Sequence, residues 1–274
     1  MTGPAVARPD PSVTLITGAA SGIGRQFAAD LLAAGGHRLV LCDLDRDGLE
    51  AAFGDTPAQL ERLDVADLGA WRDVVGRVVA EHGRLDVVCN VAGVLTPGWI
   101  WEADDRQVDL HVDINVKGVI YGSKVAAEQM VRQRSGHVVN MSSLAGIGYT
   151  PGNALYCATK HAVRGFSVSI ACELREHGVA VSVVCPGVVD TRMLDDQVGR
   201  DEAAVTFTTG DPLTTGQVSA LLQTVLAERP VEACLPGGAS VKLIGAAPGL
   251  AVRLYKTIAA RGRKAAASLR ADRA

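Results

Sequence analysis

Short runs of β-branched and apolar residues punctuate this chain, separated by stretches with helical period. The runs are VTLIT at 13–17, HRLVL at 37–41, LDVVC at 85–89, HVVNMS at 137–142, VAVSVV at 179–184 and VEACL at 231–235. Helices are expected between them over 22–34, 67–82, 104–132, 154–177 and 214–228. This rhythm is that of stacked βαβ units around a parallel sheet. Strands covered on both faces should be apolar throughout rather than alternating, as LDVVC and VAVSVV nearly are. The expected fold class is α/β: a single doubly wound parallel sheet of the Rossmann type with helices on both faces.

At 274 residues, 48% of them hydrophobic, the chain can bury a sizeable core in one domain or at most two. Its 27 basic and 30 acidic residues exclude a strongly basic, nucleic-acid-binding surface over the whole molecule. The charge is uneven, however. From Ser240 onward eight lysines and arginines face Asp272 alone, so the first 239 residues are strongly acidic. The six cysteines are scattered through apolar runs without C-x-x-C spacing, which fits small buried hydrophobes in a reducing cytoplasm. The start, MTGPAVARPDPS, is proline-rich and has no long apolar segment, so it is expected to be an arm rather than a signal or membrane span. The expected layout is a flexible arm at 1–11, a catalytic domain at 12–239 with an irregular substrate loop near 188–212, and a basic extension at 240–274.

After the first run comes Thr17-Gly18-Ala19-Ala20-Ser21-Gly22-Ile23-Gly24, leading directly into a helix. Glycines let the backbone turn tightly and approach a pyrophosphate, whose charge then meets free helix N-terminal N–H groups. The spacing is G-x-x-x-G-x-G rather than G-x-G-x-x-G, but the strand-turn-helix context of a dinucleotide site is present. The second run ends in Asp43, 19 residues after Gly24, where such folds keep a carboxylate for the adenosine ribose. A 2′-phosphate there would meet a like charge, and neither Ser21 nor Leu44 supplies a cation; Arg46 is the nearest candidate. The expected cofactor is therefore NAD rather than NADP.

These motifs, with others further along, make the chain resemble the short-chain dehydrogenase/reductase family from Val13 to about Pro236. TGAASGIG matches the family's cofactor turn, placing Gly18, Ser21, Gly22, Ile23 and Gly24 against the cofactor. Asp64-Val65 matches its adenine-side pair. Asn90-Val91-Ala92-Gly93 matches its stabilising segment after the fourth strand, with Val91 where an asparagine is more usual. Asn115 lies where the family keeps a catalytic asparagine, and Ser143, Tyr156 and Lys160 fall at the catalytic spacing. Pro186, Gly187, Val189 and Thr191 match the nicotinamide-side loop. The resemblance implies an oxidoreductase with an NAD site completed by Asp43, Leu44, Asn90, Ala92, Gly93, Tyr156 and Lys160, assembled as a homodimer or homotetramer.

The chemistry explains the residue types. Moving a hydride between an alcohol carbon and a nicotinamide requires moving a proton on or off the oxygen. Tyr156 is the candidate acid/base. A free phenol titrates near 10, so its anion needs help, which Lys160 one helical turn away is expected to supply. Ser143 can donate to the substrate oxygen. The resemblance assigns Asn115 a bound water that links Lys160 to solvent. No G-x-S-x-G elbow makes Ser143 a nucleophile, and the dispersed histidines show no metal-ligand spacing, so no metal is expected.

The segments expected to wall the substrate side, 95–101, 144–155 and 188–212, carry few fixed charges, which suits a small lipophilic alcohol or ketone. Trp99 and Trp101 alternate, so only one of them is expected to face any given pocket, with core packing an equal alternative. The tail from Pro248 has a helical stripe of Leu250, Leu254 and Ile258 opposite Arg253, Lys256, Arg263 and Lys264. It can lie on an anionic membrane surface or pack on the parent domain or an oligomer interface. Two other functions stay open: a ketoacyl-thioester reductase of the same family, against which Asp43 argues, and a non-catalytic NAD-binding regulator.

Overall fold

A computed structural model describes residues 11–208, 210–237, 242 and 245–272. The arm expected at 1–11 lies, except for its last residue, outside the described residues. Among them are seven strands: β1 (Ser12–Thr17), β2 (His37–Asp43), β3 (Gln59–Arg62), β4 (Val87–Asn90), β5 (Gly136–Met141), β6 (Val179–Pro186) and β7 (Glu232–Leu235). They form one parallel sheet in the order β3-β2-β1-β4-β5-β6-β7. The strand order reverses between β1 and β4, and ligands of open α/β sheets bind beyond the carboxyl ends of the strands at such a point.

Helices cover both faces. On one, α1 (Gly22–Ala34), α2 (Arg46–Phe53) and α8 (Thr215–Glu228) bury Phe27, Leu31, Leu49, Phe53, Leu222 and Leu226 against Ile16, Leu41, Val87 and Val139. On the other, α3 (Leu68–His82), α5 (Val119–Gln133) and α6 (Ala154–Leu174) bury Trp71, Val74, Val78, Ala126, Met130 and Leu174 against Val13, Val40, Val88 and Val138. The central strands are apolar toward both faces, as their composition requires. Helix starts are fixed by side chains: Asp45 caps α2, Asp67 caps α3, and Thr214 with Gln217 forms a capping box on α8.

Three departures from the sequence expectation matter for the site. Strand β3 and helix α2 were not foreseen between 43 and 67. The helix expected over 104–132 is instead α4 (Asp105–Val112), a π-helical turn at Asp113–Gly118, and α5. Lastly, the excursion after β6 is ordered by α7 (Arg192–Asp195) and a 3₁₀ segment at Ala204–Thr208, with its ends pinned by a bridge between Val189 and Leu213.

The tail forms α9 (Pro248–Asp272), which docks on that excursion. Its buried stripe is not the leucine stripe, since Leu250 and Leu254 are exposed. Ala259 and Gly262 are buried instead, and Ala266 and Leu269 pack on Leu194, Ala203 and Phe207. Gly262 lets the helix seat against the backbone: a Cβ there would come within 1.8 Å of the Ala204 carbonyl oxygen. Small residues permit this approach, which a hydropathy pattern does not register. No helix among the described residues is long and apolar enough to cross a membrane.

Candidate active site

Beyond the carboxyl edge of the sheet, at the β1/β4 reversal, lies a cavity of about 1380 Å³. Its floor is the turn after β1. Gly18 has φ +70° and a Cβ there would come within 2.9 Å of the Ala92 backbone, while one on Gly24 would come within 2.1 Å of the Gly18 carbonyl oxygen. Only glycine fits either place. Ser21 precedes α1 without capping it through its side chain, and the first turn of α1 holds no acidic residue. The N–H groups of Gly22, Ile23 and Gly24 therefore form a positive helix end open to an anion.

Asp43, at the end of β2, is fixed by two backbone donors: Ala20 N–H gives to Oδ2 at 2.9 Å and Asp45 N–H to Oδ1 at 3.1 Å. Leu44 beside it is exposed and lines the same cavity. Arg46 turns away, donating to the Leu60 carbonyl and to Glu50, and is not among the cavity's lining residues. Asp64 and Val65 also line the cavity, with the Asp64 carboxylate held by Ala66 N–H at 2.9 Å. These groups fit a dinucleotide: a glycine cradle that any Cβ would fill, a bare helix N-terminus, and a ribose-sized acceptor without a neighbouring cation.

The segment after β4 is held by a residue whose role was not foreseen. Thr17 accepts from Val91 N–H at 3.1 Å and Ala92 N–H at 3.2 Å, tying this loop to the glycine turn. Its signal in the sequence was a hydroxyl at the last position of an otherwise apolar strand. Ala92 and Gly93 line the cavity; Asn90 does not. The Asn90 side chain lies in the interior, donating to Asn140 at 2.8 Å and to Ser123 at 3.3 Å. Its side chain is a buried brace between β4, β5 and α5.

The catalytic candidates converge at the other end. Ser143, just past β5, caps a short 3₁₀ turn, accepting from Ala145 N–H and donating to the Pro186 carbonyl at 3.3 Å. Tyr156 lines the same part of the cavity. Burial pushes the Tyr156 phenol above its ordinary range, and the Ser143 hydroxyl pulls it partly back. Lys160 is buried, donates to the Met141 carbonyl at 2.9 Å, and has its ammonium 5.4 Å from the Tyr156 ring centre. Burial lowers its pKa to about 8. The expectation that Lys160 makes the phenol acidic is therefore not met by these two side chains alone. Burial is the leading cause of the shift at both groups.

Asn115 sits in the π-helical turn and is fully buried. It accepts from Val94 N–H at 2.8 Å and donates to the Val94 carbonyl at 2.9 Å and Thr159 Oγ1 at 3.2 Å. Both amide hydrogens are thus used in clamping the 94 loop to α6. A Cβ on Gly93 would lie 3.2 Å from Asn115 Oδ1 and 3.5 Å from Lys160 Nζ, so that glycine keeps open the space between them. π-Turns of this kind frequently mark functional sites.

Pro186, Gly187, Val189 and Thr191 line the cavity from the β6 side. The Gly187 N–H donates to the Leu235 carbonyl at 2.7 Å, and the Thr191 methyl would be 3.5 Å from a Cβ on Gly22, closing the loop over the glycine turn. All three segments expected around the substrate contribute to the wall. Trp99 and Trp101 both line it, stacked with ring centres 5.2 Å apart and planes 4° from parallel. They lie in a turn rather than a strand, so two-residue alternation does not separate them. The wall is completed by Pro248, Val252, Tyr255 and Ile258 of α9, of which only Ile258 belongs to the stripe read from the sequence.

The sheet and the glycine cradle define a Rossmann-type nucleotide-binding protein, and comparison with known proteins narrows the class. The family model for short chain dehydrogenases matches residues 12–202. The chain is 37% identical over 190 residues to the 2,5-dichloro-2,5-cyclohexadiene-1,4-diol dehydrogenase LinX of Sphingobium indicum, spanning 65% of this chain and 73% of that one. It is 35% identical to the NAD(+)-type 15-hydroxyprostaglandin dehydrogenase of Mus musculus, over 67% and 69% of the two chains. It is 33% identical to the 3-oxoacyl-[acyl-carrier-protein] reductase FabG of Thermotoga maritima, over 69% and 78%. A crystal structure of a short-chain dehydrogenase/reductase from Burkholderia phymatum in complex with NAD superposes with a TM-score of 0.80 at 28% identity, covering 89% of this chain and 96% of that one. The chain belongs to the short-chain dehydrogenase/reductase family of oxidoreductases.

Proposed function

We propose that this protein transfers a hydride between NAD and a lipophilic secondary alcohol or its ketone. The observation that carries this reading is Asp43: a carboxylate fixed by two backbone donors at the ribose end of the cavity, with Arg46 committed elsewhere. A 2′-phosphate would meet uncompensated negative charge there. NAD, when bound, supplies the nicotinamide that accepts or gives the hydride.

The chain's own groups do the rest. The α1 N-terminus and the glycine turn would hold the pyrophosphate, and Asp43 the ribose hydroxyls. Ser143 donates to the substrate oxygen and Tyr156 gives or takes its proton. Lys160, beside the Tyr156 ring, favours the phenolate once the pair acts together with a positively charged ring. Asn115 holds the 94 loop and the Gly93 gap through which Lys160 would exchange protons with water. The apolar walls, including the two indoles and α9, exclude water and favour a substrate without fixed charge.

In this reading the catalytic unit runs over 12–239, α9 completes its substrate wall, and the assembly is a homodimer or homotetramer in the cytoplasm. Leu250, Val252 and Leu254, exposed beside Arg253 and Lys256, would bring the cavity mouth to an anionic membrane surface. Salt-sensitive co-sedimentation with anionic liposomes tests that contact.

The similarity to ketoacyl-carrier reductases favours a second reading, a ketoacyl-thioester reductase. One assay separates the two. A panel of hydrophobic secondary alcohols with NAD, followed by NADH absorbance, is run beside a ketoacyl thioester with NADPH. Turnover confined to the second arm overturns the proposal, and silence in both favours a non-catalytic NAD-binding role.

A further inference from the structure

Beside Leu144, which lines the cavity, two thiols meet across the last pair of strands. Cys185 of β6 and Cys234 of β7 are direct register partners, so their side chains leave the sheet on the same face. They pack in one small cluster with Leu144, Ile147 and Val183. No other two of the six cysteines share a register position. Neighbouring strands lie about 4.8 Å apart, inside the roughly 4.4–6.8 Å separation of Cα atoms that a disulfide spans.

We infer that Cys185 and Cys234 form a dithiol site that a hydroperoxide converts into a disulfide joining β6 to β7. Cys234 is the entry point, being half-buried on the edge strand while Cys185 is fully buried. The neighbouring Cys185 thiol lowers the pKa of Cys234, while the same pairing raises that of Cys185. Glu232, beside Cys234, disfavours the thiolate, but Lys242 and Arg164 pair with that carboxylate and favour it. A thiolate at an accessible position is the reactive form.

The chemistry balances with one peroxide. The Cys234 thiolate attacks a peroxide oxygen, the O–O bond breaks, and the leaving hydroxide takes a proton to become water. Cys185 sulfur then displaces hydroxide from the Cys234 sulfenic acid, and its own proton completes a second water. Two thiols lose two electrons and the peroxide gains them. The resulting bond would lie next to the catalytic candidates: Cys185 packs with Leu144 and precedes Pro186, whose carbonyl accepts from Ser143.

The test is chemical and independent of any substrate. The folded protein is treated with hydrogen peroxide, denatured, alkylated and cut with trypsin. Glu176–Arg192 and Asp201–Lys242 each contain one cysteine, and they should appear as one linked species about 2 Da lighter than their sum, removed by dithiothreitol. Cys234→Ser should abolish it and leave Cys185 fully alkylated. Cys185→Ser should leave Cys234 as a sulfenic acid that dimedone captures. Recovery of alkylated Cys185 from the peroxide-treated wild type, or linkage of Cys234 to Cys172 or Cys157 instead, would overturn the inference.

Discussion

The Lys160 ammonium donates to the Met141 carbonyl at 2.9 Å while standing 5.4 Å from the centre of the Tyr156 ring. Burial holds its pKa at about 8 against 10.5 for a free lysine. Such a group costs stability below pH ~8, where the folded state must carry the charge. The cost fades between 8 and 10.5, where only the unfolded chain keeps the proton. The shift corresponds to roughly 3 kcal/mol. Lys160→Met should therefore raise Tm at pH 7, by an amount that shrinks toward pH 10, while turnover collapses. A stability difference that does not change with pH would contradict this account of Lys160.

Tyr156→Phe removes the phenol hydroxyl that carries the substrate proton in the proposed reaction. It should lower kcat at least ~10²-fold. NAD affinity, measured by quenching of intrinsic fluorescence, should stay within a few-fold of wild type. Near-normal turnover would remove Tyr156 from the reaction.

At the other end of the cavity, Asp43→Asn keeps the shape but loses the charge. Hydrogen bonds to a charged group are worth about 1.5–3 kcal/mol, so KM for NAD should rise roughly 10–100-fold. NADP should gain only modestly, because Arg46 remains engaged with Leu60 and Glu50. A variant that prefers NADP outright would show that Arg46 is free to turn inward.

Gly262→Val places a side chain against the Ala204 carbonyl, where even a Cβ has 1.8 Å. Helix α9 must lift or shift, costing about 1–3 kcal/mol. KM for bulky alcohols should rise while NAD affinity holds, since α9 touches the substrate wall and not the glycine turn. Equal weakening of both would mean that the helix supports the whole fold.

Much of this molecule could be read from residue order. The glycine turn, Asp43 and the Ser143–Tyr156–Lys160 spacing depend on local geometry that a sequence displays directly. Strand β3 escaped because Gln59, Glu61 and Arg62 are polar: an edge strand with one neighbour does not need apolar residues on both faces. The α2 signal, Asp45 followed by Leu49 and Phe53, was present in the sequence but short. Asn90 borders the cavity segment in sequence, but the direction of its side chain is set by Asn140 and Ser123 from distant elements. The stripe of α9 was misplaced for a related reason. Hydropathy weights leucine, but what decides docking there is how closely Ala259 and Gly262 let two backbones approach.

Leu194, Ala203 and Phe207, with Val188, Val198, Ala266 and Leu269, form a cluster of their own, separate from the two cores flanking the sheet. A cooperative unit with its own interior can open while the rest stays folded. Hydrogen exchange should therefore divide the molecule in two: fast, correlated exchange in 192–208 and the second half of α9, and slow exchange throughout β1, β4 and β5. Evolution could then replace the substrate half piecemeal, leaving the nucleotide half untouched.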